Sequence, residues 1–255
     1  MKRSLKSLQG YTLKATDGEI GKVEEFYFDD VSWTIRYLVI KTGNWFSGKK
    51  VLISPKALLT PDWENEIFPV NLTKKQIENS PDIDTDKPVS RQHEEELSTY
   101  YTWDPYWGDG AHGAGIFGAM PSDLYENEEA TAPLVPVENS EPHDPHLRSS
   151  DEVKGYGIHA TDGEIGKVTD YILDDSDWRI DYLVVETGDW LSSKKLLLPA
   201  GWIKQVKWDN RIVIVNVTTE QVKNCPDFDA SQPVNVADEK ILFDYYGRPH
   251  SGMID

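Results

Sequence analysis

At 255 residues and a formal charge of −18, the chain has room for two domains of ordinary size and a surface that disfavours nucleic acid and anionic lipid as partners. Its single cysteine, Cys225, excludes an intramolecular disulfide and a cysteine-based metal cluster. No stretch approaches the roughly 18 apolar residues of a membrane span, and the opening MKRSLKSLQGY lacks the apolar run of a signal peptide, so a cytoplasmic location is the expectation.

Taken in chain order, the first element is the stretch ATDGEIGKV at Ala15–Val23, which returns letter for letter at Ala160–Val168. The identity extends beyond it. A shift of 145 positions lays Gly10–Tyr101 on Gly155–Tyr246 without a gap, with about 40 of some 90 positions identical. Such a period is far longer than a solenoid's and marks a duplicated domain. The implied organisation is a first domain over 1–101, an acidic Gly/Pro-rich linker over 102–150, a second domain over 151–247 and a tail over 248–255.

Within each copy the pattern is mostly β. Asp-Gly at Asp17–Gly18 and Asp162–Gly163 is a strong turn signal, and Gly21 and Gly166 lie inside strand patterns, where glycine marks a bulge or a close backbone approach. EIGKVEEFYFDD reads as a strand ending in acidic turn formers. In WTIRYLVIK, Trp33, Ile35, Tyr37 and Val39 alternate onto one face. Thr34 and Arg36 begin the other and Leu38 and Ile40 finish it, so one end of the strand is covered on both sides. Shorter strands follow at KKVLIS and EIFPV, matched by KKLLLP and RIVIV. Thr73 and Thr218 are placed as N-caps of short helices, and Ser90 or Asn235 as caps of closing helices that end in two tyrosines. TWDPYWG, at the start of the linker, has enough aromatic surface to lie against a domain.

These features resemble the PRC-barrel family, which includes the cytoplasmic part of the photosynthetic reaction-centre H subunit and the C-terminal domain of a ribosome-maturation factor. The resemblance rests on DGEIGKV, the acidic pairs Asp29–Asp30 and Asp174–Asp175, IRYLVI with IDYLVV, and KKVLIS with KKLLLP. The fold class it implies is mainly β: two small PRC-type barrels from an internal duplication, each followed by short helices. A pseudo-two-fold pair is expected, because a repeated surface can meet itself. Family members mostly serve as binding or assembly modules, so the resemblance also implies a non-enzymatic role. This chain differs from many members in having GNWFSGKK and GDWLSSKK where they carry a Gly-rich loop.

Those two loops are the candidate interaction surface: Trp45, Phe46, Lys49 and Lys50 in one copy, Trp190, Leu191, Lys194 and Lys195 in the other. The other reading of Trp45 and Trp190 is that they close the barrel ends or pack the barrels together. Asp17, Gly18, Gly21, Asp162, Gly163 and Gly166 are read as turn structure, because no His, nucleophile or apolar pocket accompanies the charged residues. Asp29–Asp30 and Asp174–Asp175 with Asp177 could hold Ca²⁺ or Mg²⁺ but lack EF-hand spacing. His143 and His146 lie in a Pro-rich frame without further ligands, and GDGAHGAG has neither the strand nor the helix of a phosphate loop.

The functional expectation is a non-catalytic scaffold with no cofactor, pairing its own domains and binding a protein of unknown identity, with oligomerisation left open. The alternatives are a metal-binding protein or metal-dependent hydrolase using the acidic turns, and a regulator of electron transfer by analogy with the H subunit.

Overall fold

In a computed structural model, the structure describes residues 1–43, 49–81, 89, 91–106, 147–188, 194–226, 228, 234 and 236–246. The first copy supplies strands β1 (Lys2–Ser4), β2 (Thr12–Ala15), β3 (Gly18–Asp29), β4 (Ile35–Thr42), β5 (Lys50–Ile53) and β6 (Ile67–Pro69). Its helices are α1 (Leu5–Leu8), α2 (Lys74–Glu78) and α3 (Arg91–Tyr101). The second copy supplies β7 (Leu147–Ser149), α4 (Ser150–Val153), β8 (Gly157–His159), β9 (Glu164–Asp174), β10 (Arg179–Thr187), β11 (Lys195–Pro199), β12 (Ile203–Lys207), β13 (Ile212–Val215), α5 (Thr219–Lys223) and α6 (Val236–Tyr246).

The sheets run β5-β4-β3-β2-β6 and β11-β10-β9-β8-β13-β12. The sequence pattern predicts barrels, but neither sheet is closed by hydrogen bonds. The two edges of the second sheet, β11 and β12, are consecutive in the chain and separated only by the 3-10 turn Ala200–Trp202. A corner that tight joins the edges covalently and leaves no room to align them as a ladder. Each lobe is thus a rolled, open sheet.

The ends of the lobes are exchanged. Strand β1 pairs antiparallel with β9 of the other copy, from Lys2↔Asp174 to Ser4↔Ile172. Strand β7 pairs in the same way with β3, from Tyr27↔Ser149 to Asp29↔Leu147. Residues 147–149, read from sequence as the end of the linker, are therefore a strand of the first lobe's sheet, and β1 belongs to the second lobe's. Polar contacts repeat the exchange on both sides. Arg3 Nε donates to Asp175 at 2.6 Å and its guanidinium lies 3.5 Å over the Trp63 ring; Arg148 Nε donates to Asp30 at 3.0 Å and lies 4.1 Å over Trp208. Ser4 donates to Asp170 and Ser149 to Glu25, another pair related by the 145-residue offset.

On the pseudo-two-fold axis, Thr34 and Arg179 form a β-bridge. The Ile35 amide donates to the Trp178 carbonyl at 2.8 Å and the Ile180 amide to the Trp33 carbonyl at 2.7 Å. Both tryptophans occupy the left-handed region, with φ of 56° and 60°, which bulky residues seldom enter. That conformation costs about 1–3 kcal/mol per residue, and the paired bonds across the axis hold it in place. The duplicated surface meets itself, as the sequence predicts. One continuous apolar core follows, with Leu5 and Leu8 of the first copy packed in the same cluster as Ile172 and Leu173 of the second. Phe28 lies 6.1 Å from Tyr171 and Phe68 lies 5.8 Å from Trp178, each across the lobe boundary.

The alternation read along β4 is interrupted. Tyr27 pairs with Tyr37 but Phe28 pairs with Ile35, which leaves Arg36 as the extra residue of a bulge. Ile35, Leu38 and Ile40 therefore face the common core, while Tyr37 and Val39 join a smaller cluster with Leu52, Leu97 and Leu147. The second copy has the same bulge at Asp181, but there Tyr182 and Val184 remain in the common core. Helices α2 and α5 both begin with capping boxes, Thr73 with Gln76 and Thr218 with Gln221. Ser90 and Asn235 lie outside the described residues.

Candidate functional site

The repeated stretch serves the turn and the helix beside it. Asp17 accepts the Lys74 amide at 2.8 Å and Asp162 the Thr219 amide at 2.8 Å, so each adds a second acceptor to the first turn of α2 or α5. The amide bond, together with the Thr219 hydroxyl, holds the Asp162 carboxyl below the usual carboxylate range. Gly18 has φ of 134°, and a Cβ on Gly163 would stand 3.3 Å from the Thr219 methyl. At Gly21 a Cβ would stand 2.1 Å from the Lys41 carbonyl oxygen, and at Gly166 2.0 Å from that of Glu186. A side chain at either would part the strands.

The acidic turns are likewise engaged. Asp29 accepts the amides of Val31 and Ser32 at 3.0 and 2.8 Å, and Asp174 accepts the amide and hydroxyl of Ser176 at 2.9 and 2.6 Å. Among the described residues, no three His, Cys, Asp or Glu side chains are gathered so as to hold a metal ion. Of the predicted interaction residues, Trp45, Phe46, Trp190 and Leu191 lie outside the described residues. The Lys49 carbonyl accepts from the amide and hydroxyl of Thr42, and Lys50 Nζ lies 2.9 Å from Glu24. Lys194 Nζ donates to the Cys225 carbonyl, and Lys195 pairs across the ladder with Glu186. The lysines thus stand at the ends of the β4–β5 and β10–β11 hairpins.

A cleft of about 710 Å³ opens instead beside the axis, where both copies contribute. Lys2 and the turn Val31–Trp33 come from the first copy. The turn around Asp174 and Asp177, the start of β10, the corner Pro199–Ile203 and Glu239 of α6 come from the second. Trp33 and Trp202, each 8% exposed, supply apolar wall. Three carboxylates converge on Lys2 Nζ: Asp181 in close contact, and Asp174 and Glu239 at 3.4 Å. Burial lowers the Lys2 ammonium, but the hydrogen bond and charge of Asp181, with Glu239 and Asp174, more than offset it, leaving its pKa raised. Burial raises the Asp174 carboxyl, but the two bonds from Ser176, with Lys2 and the N-terminus, bring it well below its ordinary value. Tyr182 donates to Glu239 at 2.6 Å, and burial followed by that carboxylate pushes the phenol far up.

The first lobe has the equivalent cleft, and there the chain fills it. Helix α3 ends in a Schellman motif: Thr102 turns left-handed at φ 57° and the Trp103 amide donates back to the Ser98 carbonyl at 2.9 Å. The segment Thr102–Tyr106 then runs over positions matching the open cleft. Trp103 stacks on Tyr101 at 4.3 Å, and Lys56 Nζ donates to the Asp104 carbonyl at 2.9 Å. The Tyr106 hydroxyl donates to Glu94, only 1% exposed, at 2.7 Å, and the Arg36 guanidinium lies 3.8 Å over its ring. Sequence reasoning missed the open cleft because its residues are scattered. The visible signal was that three repeat positions change character together: Leu147, Arg36 and Lys56 against Lys2, Asp181 and Gly201.

Comparison with known proteins agrees with this duplicated architecture. A family model described as the PRC-barrel domain matches residues 3–77 and 146–222, together more than half of the chain. The chain belongs to the PRC-barrel family. The two matched regions begin at β1 and just before β7, so the exchanged strands are part of each PRC-barrel domain. An uncharacterized protein of Deinococcus radiodurans is 31% identical over 91 residues, covering 34% of this chain and 32% of the relative. The aligned stretch therefore spans about a third of the relative's own length. Among the described residues of this PRC-barrel protein, no helix is long and apolar enough to cross a membrane.

Proposed function

We propose that this tandem PRC-barrel chain is a non-catalytic binding and assembly protein whose partner is another protein. The observation that supports the reading is the difference between the two clefts: in one lobe the surface receives a short non-helical stretch of polypeptide, and in the other no described residue covers the same surface. The rest of the site chemistry fits a structural use. In the acidic turns Asp29 and Asp174 hold amides of their own turns, and Asp30 and Asp175 hold the arginines that bind the lobes to each other. The cations of the open cleft are engaged by neighbouring carboxylates, and its Ser176 hydroxyl donates to Asp174 within the turn.

The test is cross-linking in cells with the tagged full chain, followed by quantitative mass spectrometry. A protein recovered in near-stoichiometric yield, absent from cells carrying the tag alone, is the expected outcome. Purified chain that carries a stoichiometric metal and turns over a substrate, with no partner recovered, would overturn the reading.

A further inference from the structure

We infer that the open cleft between Trp33 and Trp202 receives a short, positively charged peptide segment of a partner protein, in the way its twin receives Thr102–Tyr106. This rests on the binding role proposed above and names the surface and the chemistry of its occupant. The repeat offers the template. The contacts that Asp104 and Tyr106 make with the body of the first lobe come from positions with counterparts in the open cleft: Arg36 with Asp181, Lys56 with Gly201, Glu94 with Glu239. The geometry that seats a peptide is thus duplicated, while the charges facing it are not.

The change in charge has one direction. At the matching positions of the twin, Asp29 and Glu94 are balanced by Arg36 and Lys56. Among the described lining residues of the open cleft, four carboxylates, Asp174, Asp177, Asp181 and Glu239, stand against Lys2 and Arg179, with the N-terminal ammonium 3.6 Å from Asp174. Lys2 sits among three of those acids, and Arg179 Nε donates to Asp181 at 3.1 Å, while Asp177 stands exposed on the turn with the Arg179 amide as its hydrogen-bond donor. An incoming ammonium or guanidinium enters an excess of negative charge, and its aliphatic stem meets the indoles and Pro199. Lys56, which crosses to the segment in the twin, is replaced by Gly201, and nothing lies within 4 Å of where its Cβ would be. The space on that side is left to the guest.

The experiment titrates the full chain into two dye-labelled peptides and follows fluorescence anisotropy. One peptide copies Trp103–Tyr106, Trp-Asp-Pro-Tyr, and the other carries Arg in place of Asp. The Arg peptide should bind at least about tenfold more tightly, a difference of about 1.4 kcal/mol, and its binding should weaken with salt. Gly201→Lys, which has room for its side chain, and Asp177→Lys, on an exposed turn, should each weaken it about tenfold. Asp209→Lys, exposed at another turn, should leave it unchanged. Equal affinity for the two peptides, or binding indifferent to Gly201→Lys and Asp177→Lys, would overturn the proposal. So would binding seen only after removal of residues 247–255, which would assign the cleft to the chain's own end. A partner recovered by cross-linking whose yield is unaffected by Gly201→Lys would remove this site and leave the broader binding role standing.

Discussion

Phe28 is where the fusion of the lobes can be measured. Its ring is fully buried, stacks on Trp33 at 5.1 Å and 19°, and faces Tyr171 of the other lobe. Phe28→Ala removes an aromatic side chain from a close-packed core, which typically costs about 3–5 kcal/mol. For a chain of this size each kcal/mol lowers the melting temperature by about 2–4 °C, so the fall should be about 6–20 °C. Its distribution is the sharper test. With one core and two exchanged strands, the lobes should unfold in a single transition with equal calorimetric and van't Hoff enthalpies. The slowest-exchanging amides of β10 and β13, in the lobe that does not carry the substitution, should lose as much protection as those of β3 and β4. Two separate transitions in the wild type, or a second lobe whose amide exchange ignores Phe28→Ala, would refute the view that the copies form one cooperative body.

Other substitutions probe particular contacts. Gly21→Ala and Gly166→Ala each force a methyl to about 2 Å from a carbonyl oxygen and should cost at least about 1–3 kcal/mol, whereas Gly201→Ala, with open space, should change the urea midpoint little. The Asp174 carboxyl is held below its unfolded value, so its contribution is present above about pH 4 and is lost as the pH falls toward its folded pKa. The stability gap between wild type and Asp174→Asn should therefore be widest near neutrality and narrow in acid, as read from urea unfolding across pH. Tyr106→Phe removes the hydroxyl donor to Glu94, a nearly inaccessible acid, and should destabilise by about 1–3 kcal/mol. Faster exchange of the α3 amides would report the loss locally.

The architecture was legible because duplication and turn chemistry leave local marks. The 145-residue offset, the Asp-Gly turns and the Thr-x-x-Gln caps are short-range signals, and the structure contains each at the expected residues. What was hidden depends on long-range pairing. The alternation along β4 fails at Arg36 because a bulge adds one residue, and no pattern within WTIRYLVIK announces it. The exchange of β1 and β7 was obscured for another reason. Three-residue strands carry almost no periodicity, and their partners lie in the other copy. The repeated Arg-Ser at Arg3–Ser4 and Arg148–Ser149 keeps the same offset and was the one available hint. The open cleft was harder still, since it is assembled from five separate stretches and becomes conspicuous only beside its filled twin.

Reciprocal exchange also imposes an order on synthesis. The edge of β3 at Tyr27–Asp29 waits for residues that the ribosome adds more than a hundred positions later, so a nascent chain with only the first copy exposed holds an unfinished sheet. Chains stalled before Leu147 should be cleaved readily by protease, with resistance arising only once the second copy's core strands have also emerged. The second copy is then the last component of the first, and selection for correct assembly acts on the whole gene at once.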